Sequence, residues 1–321
     1  MSNAIDSEGS TDSHEAVLAG SWQAQLAKLP AQRWPKGALY VVATPIGNLA
    51  DLSLRAAYAL QLADVIAAED TRATRVLLQA WGIHTPLISL HRHNEHSQLD
   101  GLLQRLANGE RVALVSDAGS PAISDPGGHT VRAVRQAGHG VVALPGPSAV
   151  TTALMSLGAT TDQHPGFCFL GFLPPKSAAR LKQLRLYTSF DGTLVWFESP
   201  HRIRAMVGDL CAVFGSDREV SVCRELTKRF EQTVTLPLGE CEQWMASEAF
   251  REQGEFVVLL HPAARESSDT EDDALSAPGV QAWMDALLAN TSVRDAAKVM
   301  AQALGQPKDR CYALLLARSG R

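Results

Sequence analysis

The chain has 321 residues, 45% of them hydrophobic, with a formal net charge of −5. That length allows two full-sized domains and a small third unit, each with its own core. The bulk charge speaks against a dedicated phosphate binder, which would be far more basic.

The charge is unevenly placed, however. Residues 1–30 carry four acidic side chains against Lys28, and residues 264–277 carry five against Arg265. Without these two stretches the remainder is close to +2, which permits an RNA partner without demanding one. Five cysteines (Cys168, Cys211, Cys223, Cys241 and Cys311) form no C-x-x-C pair. This suits a reducing cytoplasm rather than a disulfide framework or a zinc site. No basic segment precedes an apolar run at the N-terminus, so no secretory signal is expected. The uncharged stretch Val141–Thr161 is broken by prolines and glycines, and reads as strand, loop and helix rather than a membrane span.

In chain order, residues 1–36 read as a polar, mostly disordered tail with one helical stretch near Trp22–Leu29. Residues 37–160 read as a first α/β domain. Strands are expected at 38–42, 65–68, 86–89, 112–115 and 141–144, and helices at 54–62, 71–81, 97–107, 129–136 and 149–157. Alternating strands and helices imply a mostly parallel sheet covered on both faces. Residues 161–262 read as a second α/β domain, with strands at 167–170, 193–197, 219–224, 232–237 and 256–260, the last closing the domain. Residues 263–279 form an acidic linker. Residues 280–321 form a helical appendix of two or three short helices.

The unusual segments fall at strand carboxyl ends, where ligands bind in open α/β sheets. The turn Thr44-Pro45-Ile46-Gly47-Asn48 lacks the three glycines of a dinucleotide fingerprint, which argues against NAD or FAD. The loop Ser116–Gly127 is rich in small residues that let backbone approach a ligand, with Asp117 placed to accept from a cationic or hydroxylated one. Pro145-Gly146-Pro147-Ser148 would form the opposite wall. Glu69-Asp70-Thr71-Arg72 and His91–His96 are polar clusters, as are Glu198-Ser199-Pro200-His201-Arg202 and Glu225–Arg229. Surface or RNA contact fits them better than a metal site, for no second set of ligands accompanies the histidines.

Together these segments resemble the tetrapyrrole-methylase superfamily, the class III methyltransferases. The carrying motifs are Ala43–Leu49, Ala68–Arg72, His93-Asn94-Glu95, Ser116–Pro121, Ile123–Gly127, Pro145–Ser148, Glu198–Arg202 and Glu225–Lys228. The first loop and Ser116-Asp117-Ala118 depart from the superfamily's glycine-rich loop and Gly-Asp-Pro motif, and match its RNA-modifying branch. The resemblance implies two α/β domains enclosing S-adenosylmethionine, a homodimer, and methyl transfer to a cytidine 2′-oxygen of 16S rRNA in the 30S subunit.

By position it places Ile46, Asp117, Ala118, Gly119, Ile123, Ser148 and Ala149 on the cofactor from the first domain, and Leu173, Phe197 and Leu226 from the second. Glu198 and His201 are the candidates for proton handling, and Arg72 or Arg202 for the phosphate or alkoxide. Asp70, Arg72, His93, Asn94, Glu95 and Arg202 are the candidates for substrate contact. No metal is expected. Two other readings stay open. One is methylation of a corrin or porphyrin ring. The other is a non-catalytic nucleic-acid binder using 280–321 as a helix-turn-helix. The appendix itself suits either RNA capture or dimer support.

Overall fold

A computed structural model describes residues 20–92, 94–263 and 278–319. They fall into two compact units, one ending at Ala263 and one comprising the C-terminal helices.

The first half of the larger unit is an all-parallel sheet. Its strands are β1 (Ala38–Val42), β2 (Val65–Ala68), β3 (Leu87–Ser89), β4 (Val112–Val115) and β5 (Gly140–Leu144), in the order β3-β2-β4-β1-β5. The central strands β2 and β4 are buried along their whole length, VIAA and VALV, as a sheet covered on both faces requires. Alternate residues face opposite sides. Tyr40, Val42, Ile66, Ala113 and Val115 pack under α1 (Leu54–Leu62) and α2 (Thr71–Ala80). Leu39, Val65, Ala67, Val112 and Leu114 pack under α3 (Glu95–Ala107) and α4 (Gly128–Gln136). Ser53 caps α1 by accepting from Ala56 N, and Asp70 caps α2 by accepting from Arg72 N.

Helix α5 (Ala149–Leu157) leaves this half and lies on the next. Its Val150, Ala153 and Leu154 join Val195, Cys223, Val257 and Leu259 of the second sheet in one core. That sheet runs β6 (Phe167–Phe172), β7 (Thr193–Glu198), β10 (Phe256–Leu260), β8 (Glu219–Arg224) and β9 (Gln232–Pro237). Only β6 and β7 pair in parallel; the other pairs are antiparallel. Its other face is covered by α6 (Ser177–Leu184), α7 (Ile203–Phe214) and α8 (Cys241–Ala246). The strand expected to close the domain, β10, is instead the middle one. Its sequence FVVLL is buried throughout, and an all-apolar strand needs a neighbour on each side and cover on both faces.

Part of the expected tail is packed. Leu29 is 4% exposed, and the Trp34 indole donates to the Leu29 carbonyl at 2.7 Å and packs against Tyr40 and Tyr58. Residues 1–19, and the linker from 264 to 277, lie outside the described residues. The smaller unit consists of α9 (Pro278–Asn290), α10 (Val293–Leu304) and α11 (Lys308–Arg318), with Met284, Ala296, Ala297, Met300, Cys311 and Leu315 as its core. Ser292 caps α10, and Gly305 ends it in the left-handed conformation that glycine tolerates. Among the described residues no helix is long and apolar enough to cross a membrane.

Glu95, expected to touch substrate, has a structural role instead. It is buried, and its Oε1 accepts from both Thr130 N (2.8 Å) and Thr130 Oγ1 (2.9 Å). This joins α3 to the start of α4 and anchors the end of the loop after β4. Removing the carboxylate leaves two buried donors unsatisfied. Glu95→Ala should therefore lose about 2 kcal/mol of unfolding free energy in urea titration of the full chain. An unchanged midpoint would refute this role.

Candidate functional site

The exit loops at the carboxyl ends of β1, β2, β4 and β5 are bonded into one surface. Thr44 exchanges two backbone hydrogen bonds with Gly119 (2.9 and 3.0 Å), and its hydroxyl donates to Ser116 O. Asp117 Oδ1 accepts from Asp70 N at 2.9 Å, tying the β4 exit to the β2 exit. Ser120 Oγ donates to Pro147 O, tying it to the β5 exit.

The second half closes over this surface. A Cβ on Gly47 would stand 2.4 Å from Lys228 Cγ, 2.8 Å from Thr227 Oγ1 and 3.1 Å from Leu226 O. A Cβ on Gly171 of β6 would stand 3.0 Å from Ser124 Oγ. Between the halves lies a cavity of about 390 Å³, within the size range of small-molecule sites.

Eight of the ten expected cofactor residues line it: Ile46, Ala118, Gly119, Ile123, Ser148 and Ala149 from the first half, Phe197 and Leu226 from the second. Two do not. Asp117 is exposed and spends its carboxylate on Asp70 N, so it shapes the loop rather than facing the cavity. Leu173 is 2% exposed within the core of the second half. Sequence reasoning left Asp125, Phe172, Lys228 and Glu255 unassigned, yet all four are on the wall. Asp125 and Lys228 lie within motifs already conspicuous in the sequence; Phe172 and Glu255 carry no comparable signal. Phe172, Phe169 and Phe197 form a tilted aromatic cluster, with the Phe169 and Phe172 centroids 4.7 and 5.7 Å from that of Phe197. It is the kind of surface on which a flat heterocycle packs.

The three proposed catalytic side chains are not brought together. Glu198 is on the cavity wall, but its Oε2 is 3.3 Å from Arg202 Nη2 and its Oε1 accepts from Ser199 N. His201 lies outside this cavity, in a shallower depression with Arg204 and Glu252. Arg72 is a largely exposed side chain paired with Asp70 at 3.1 Å. Of the other expected substrate contacts, Asn94 Oδ1 accepts from His91 N and its amide donates to Ser89 O, so it shapes the β3 exit. Arg202 donates to Leu173 O beside its ion pair. His93 lies outside the described residues. Among those residues, no group of three or more His, Cys, Asp and Glu side chains is placed to hold a metal.

The electrostatics of the two walls differ. On the second half, burial pushes Lys228 down, but its hydrogen bonds to Glu225 and Glu255, both 2.8 Å, outweigh that and leave it raised. That triplet holds one ammonium between two carboxylates. On the first half, burial pushes Asp125 above the usual carboxylate range. The Ser116 hydroxyl opposes the shift, Asp117 reinforces it, and Arg92 opposes it weakly. Glu69 is raised in the same way, by burial and then by Asp117 and Asp125. This edge is therefore rich in carboxylates and short of cations.

The described backbone holds four non-glycine residues at positive φ, and all belong to the loops around this cavity: Ala122, Ser124, Glu225 and Thr227. Such conformations cost on the order of 1 kcal/mol each and gather where function needs a fixed geometry.

A family model for Tetrapyrrole (Corrin/Porphyrin) Methylases matches residues 38–242, and one described as RsmI C-terminal HTH domain matches 273–319. The chain belongs to the tetrapyrrole methylase family. Over 285 residues it is 42% identical to ribosomal RNA small subunit methyltransferase I of Escherichia coli O157:H7, covering 89% of this chain and 96% of that one. The protein of the same name from Pseudomonas aeruginosa is 41% identical over 285 residues, covering 89% and 99%. Among solved structures, a uroporphyrin-III C-methyltransferase from Thermus thermophilus complexed with S-adenyl homocysteine aligns with TM-score 0.53 at 18% identity, covering 70% of this chain and 97% of that one. The cobalt precorrin-4 methyltransferase CbiF aligns with TM-score 0.53 at 18% identity, covering 72% and 98%. These structural likenesses speak to the fold of this family member.

Gly47 is where the two halves touch most closely. Gly47→Ala should push the Leu226–Lys228 turn outward and weaken S-adenosylhomocysteine binding by about tenfold, roughly 1.4 kcal/mol, with the circular dichroism spectrum unchanged. Unaltered affinity by calorimetry would show that the contact does not set the cavity.

Proposed function

We propose that this chain is an S-adenosylmethionine-dependent methyltransferase that modifies a cytidine 2′-oxygen of 16S rRNA. We place its work in the cytoplasm, on the 30S subunit, with the enzyme a homodimer. The observation that carries the reading is the enclosed cavity at the strand carboxyl ends, in a chain that aligns along nearly the whole length of relatives named ribosomal RNA small subunit methyltransferase I. The motif resemblance supplies the ribose oxygen and the cytidine.

The residues present fit the cofactor. The cavity is large enough, and its walls are mostly apolar and aromatic with few polar groups. Ile46, Gly119, Ile123, Ala149, Phe197 and Leu226 are assigned to hold it. Bound there, S-adenosylmethionine supplies an activated methyl group on a good leaving group. What remains for the protein is mainly positioning. The close approach of the two halves at Gly47 and Gly171 fixes the walls between which the reacting atoms are held. Exposed Arg72, at the mouth formed by the β2 exit, is assigned to RNA phosphate, where its guanidinium exchanges Asp70 for a phosphate oxygen. Arg202 is assigned to balance Glu198 rather than to touch RNA.

The full chain, incubated with tritiated S-adenosylmethionine and 30S subunits from cells lacking its gene, should place label in 2′-O-methylcytidine after digestion to nucleosides. Cofactor binding with no label in RNA would refute the RNA reading and return the substrate to a small ring compound.

A further inference from the structure

A ribose hydroxyl is a poor acid, and transfer of a methyl group to it releases a proton that something must accept. The acceptor has to be on the wall of the cavity where the methyl group is presented. Four ionisable side chains are there: Asp125, Glu198, Lys228 and Glu255. Three are already engaged. Glu198 faces Arg202 at 3.3 Å, and Lys228 bonds Glu255 and Glu225 at 2.8 Å each. Asp125 makes no ion pair within 4.0 Å among the described residues; the nearby Ser116 hydroxyl acts to lower its proton affinity.

The chain also fixes where Asp125 stands. The preceding Ser124 has φ +66 and Ala122 has φ +68. Ala122 N donates to Pro126 O, closing a tight turn around the intervening residues. Ser124 is held against Gly171 of the second half. Past Asp125, Gly127 at φ +111 admits the chain into α4, which Glu95 anchors at Thr130. Strain on one side and a buried anchor on the other leave this side chain little freedom to move away from the cavity.

We propose that Asp125 is the general base, accepting the proton of the attacking ribose 2′-hydroxyl. This rests on the RNA-methyltransferase reading above. The carboxylate takes the proton as the oxygen–carbon bond forms, and the carbon–sulfur bond breaks with its electron pair remaining on sulfur. Asp125 then returns the proton to water. Burial favours proton uptake by Asp125; the Ser116 hydroxyl opposes it, Asp117 adds to it and Arg92 opposes it weakly, while Glu198, Lys228 and Glu255 across the cavity are paired among their own neighbours. A buried carboxylate with like-charged neighbours is a better base at neutral pH than one beside a cation.

The test is single-turnover methylation of 30S subunits by the full chain at saturating S-adenosylmethionine, followed across pH 4.5 to 8 (roughly the span in which a raised carboxylate titrates). The wild-type rate should rise with pH and level off above the Asp125 titration. Asp125→Asn should be slower by about hundredfold or more and lose the rise. Asp125→Glu should restore the rise at a reduced rate. Two readouts stand apart from turnover. S-adenosylhomocysteine affinity by calorimetry should be unchanged in Asp125→Asn. A carboxyl carbon resonance titrating above the ordinary aspartate range should vanish in the same variant. An Asp125→Asn enzyme with the wild-type pH profile would overturn the proposal, as would a loss located wholly in cofactor affinity, or a rise abolished by Glu198→Gln instead. Absence of 2′-O-methylcytidine from the wild-type reaction would overturn the underlying reading together with it.

Discussion

Gly47 meets the Leu226–Lys228 turn at a distance that no side chain could share, with Lys228 Cγ 2.4 Å from where its Cβ would be. Through that contact a loop following the first strand of one sheet touches a loop following a strand of the other, and the space between becomes a cavity. The rest of the molecule makes the contact possible. Helix α5 buries Val150, Ala153 and Leu154 in the face of the second sheet, so the halves share a core and do not swing on a linker. The bridge from Thr44 to Gly119 and the bond from Asp70 N to Asp117 set the first-half loops as one surface before the second half meets it.

The two sides of the cavity are built by opposite means. The second half places the Lys228 ammonium between two carboxylates, Glu225 and Glu255, and buries Arg224 with its guanidinium on the carbonyls of Gln253 and Phe230. The first half assembles Glu69, Asp117 and Asp125, with Arg92 as the cation that offsets them. A half-buried carboxylate with a raised proton affinity makes the folded state less stable as pH climbs, since the folded protein then binds more protons than the unfolded chain. Together with four strained residues in the surrounding loops, this is stability given up at a site where fixed geometry and unbalanced charge are useful.

Much of the fold was legible because hydrophobic runs and breakers are local signals. All five first-half strands were readable as short apolar runs, four of them ending in Gly, Pro or Asp segments, and the parallel arrangement follows from their alternation with helices. The position of β10 was not, since pairing order in an antiparallel sheet depends on contacts distant in sequence. In the site, the small residues Ala118, Gly119, Ser148 and Ala149 stood out because they sit in conspicuous loops at strand ends. Asp117 stood out for the same reason, but its carboxylate serves Asp70 N. Glu95 looked like a surface acid beside two histidines; nothing local reveals that Thr130, 35 positions away, needs its oxygen. Phe172 and Glu255 reach the cavity only through the packing of the second sheet over the first.

If the cofactor occupies the space between the halves, it must engage both walls at once. Hydrogen exchange of the full chain with and without S-adenosylhomocysteine reads this out. Protection should rise together in residues 44–48, 116–127 and 146–149 of the first half and 197–200 and 225–228 of the second. Protection confined to one half, or falling elsewhere in the chain while the ligand is demonstrably bound, would be incompatible with a cofactor held between them.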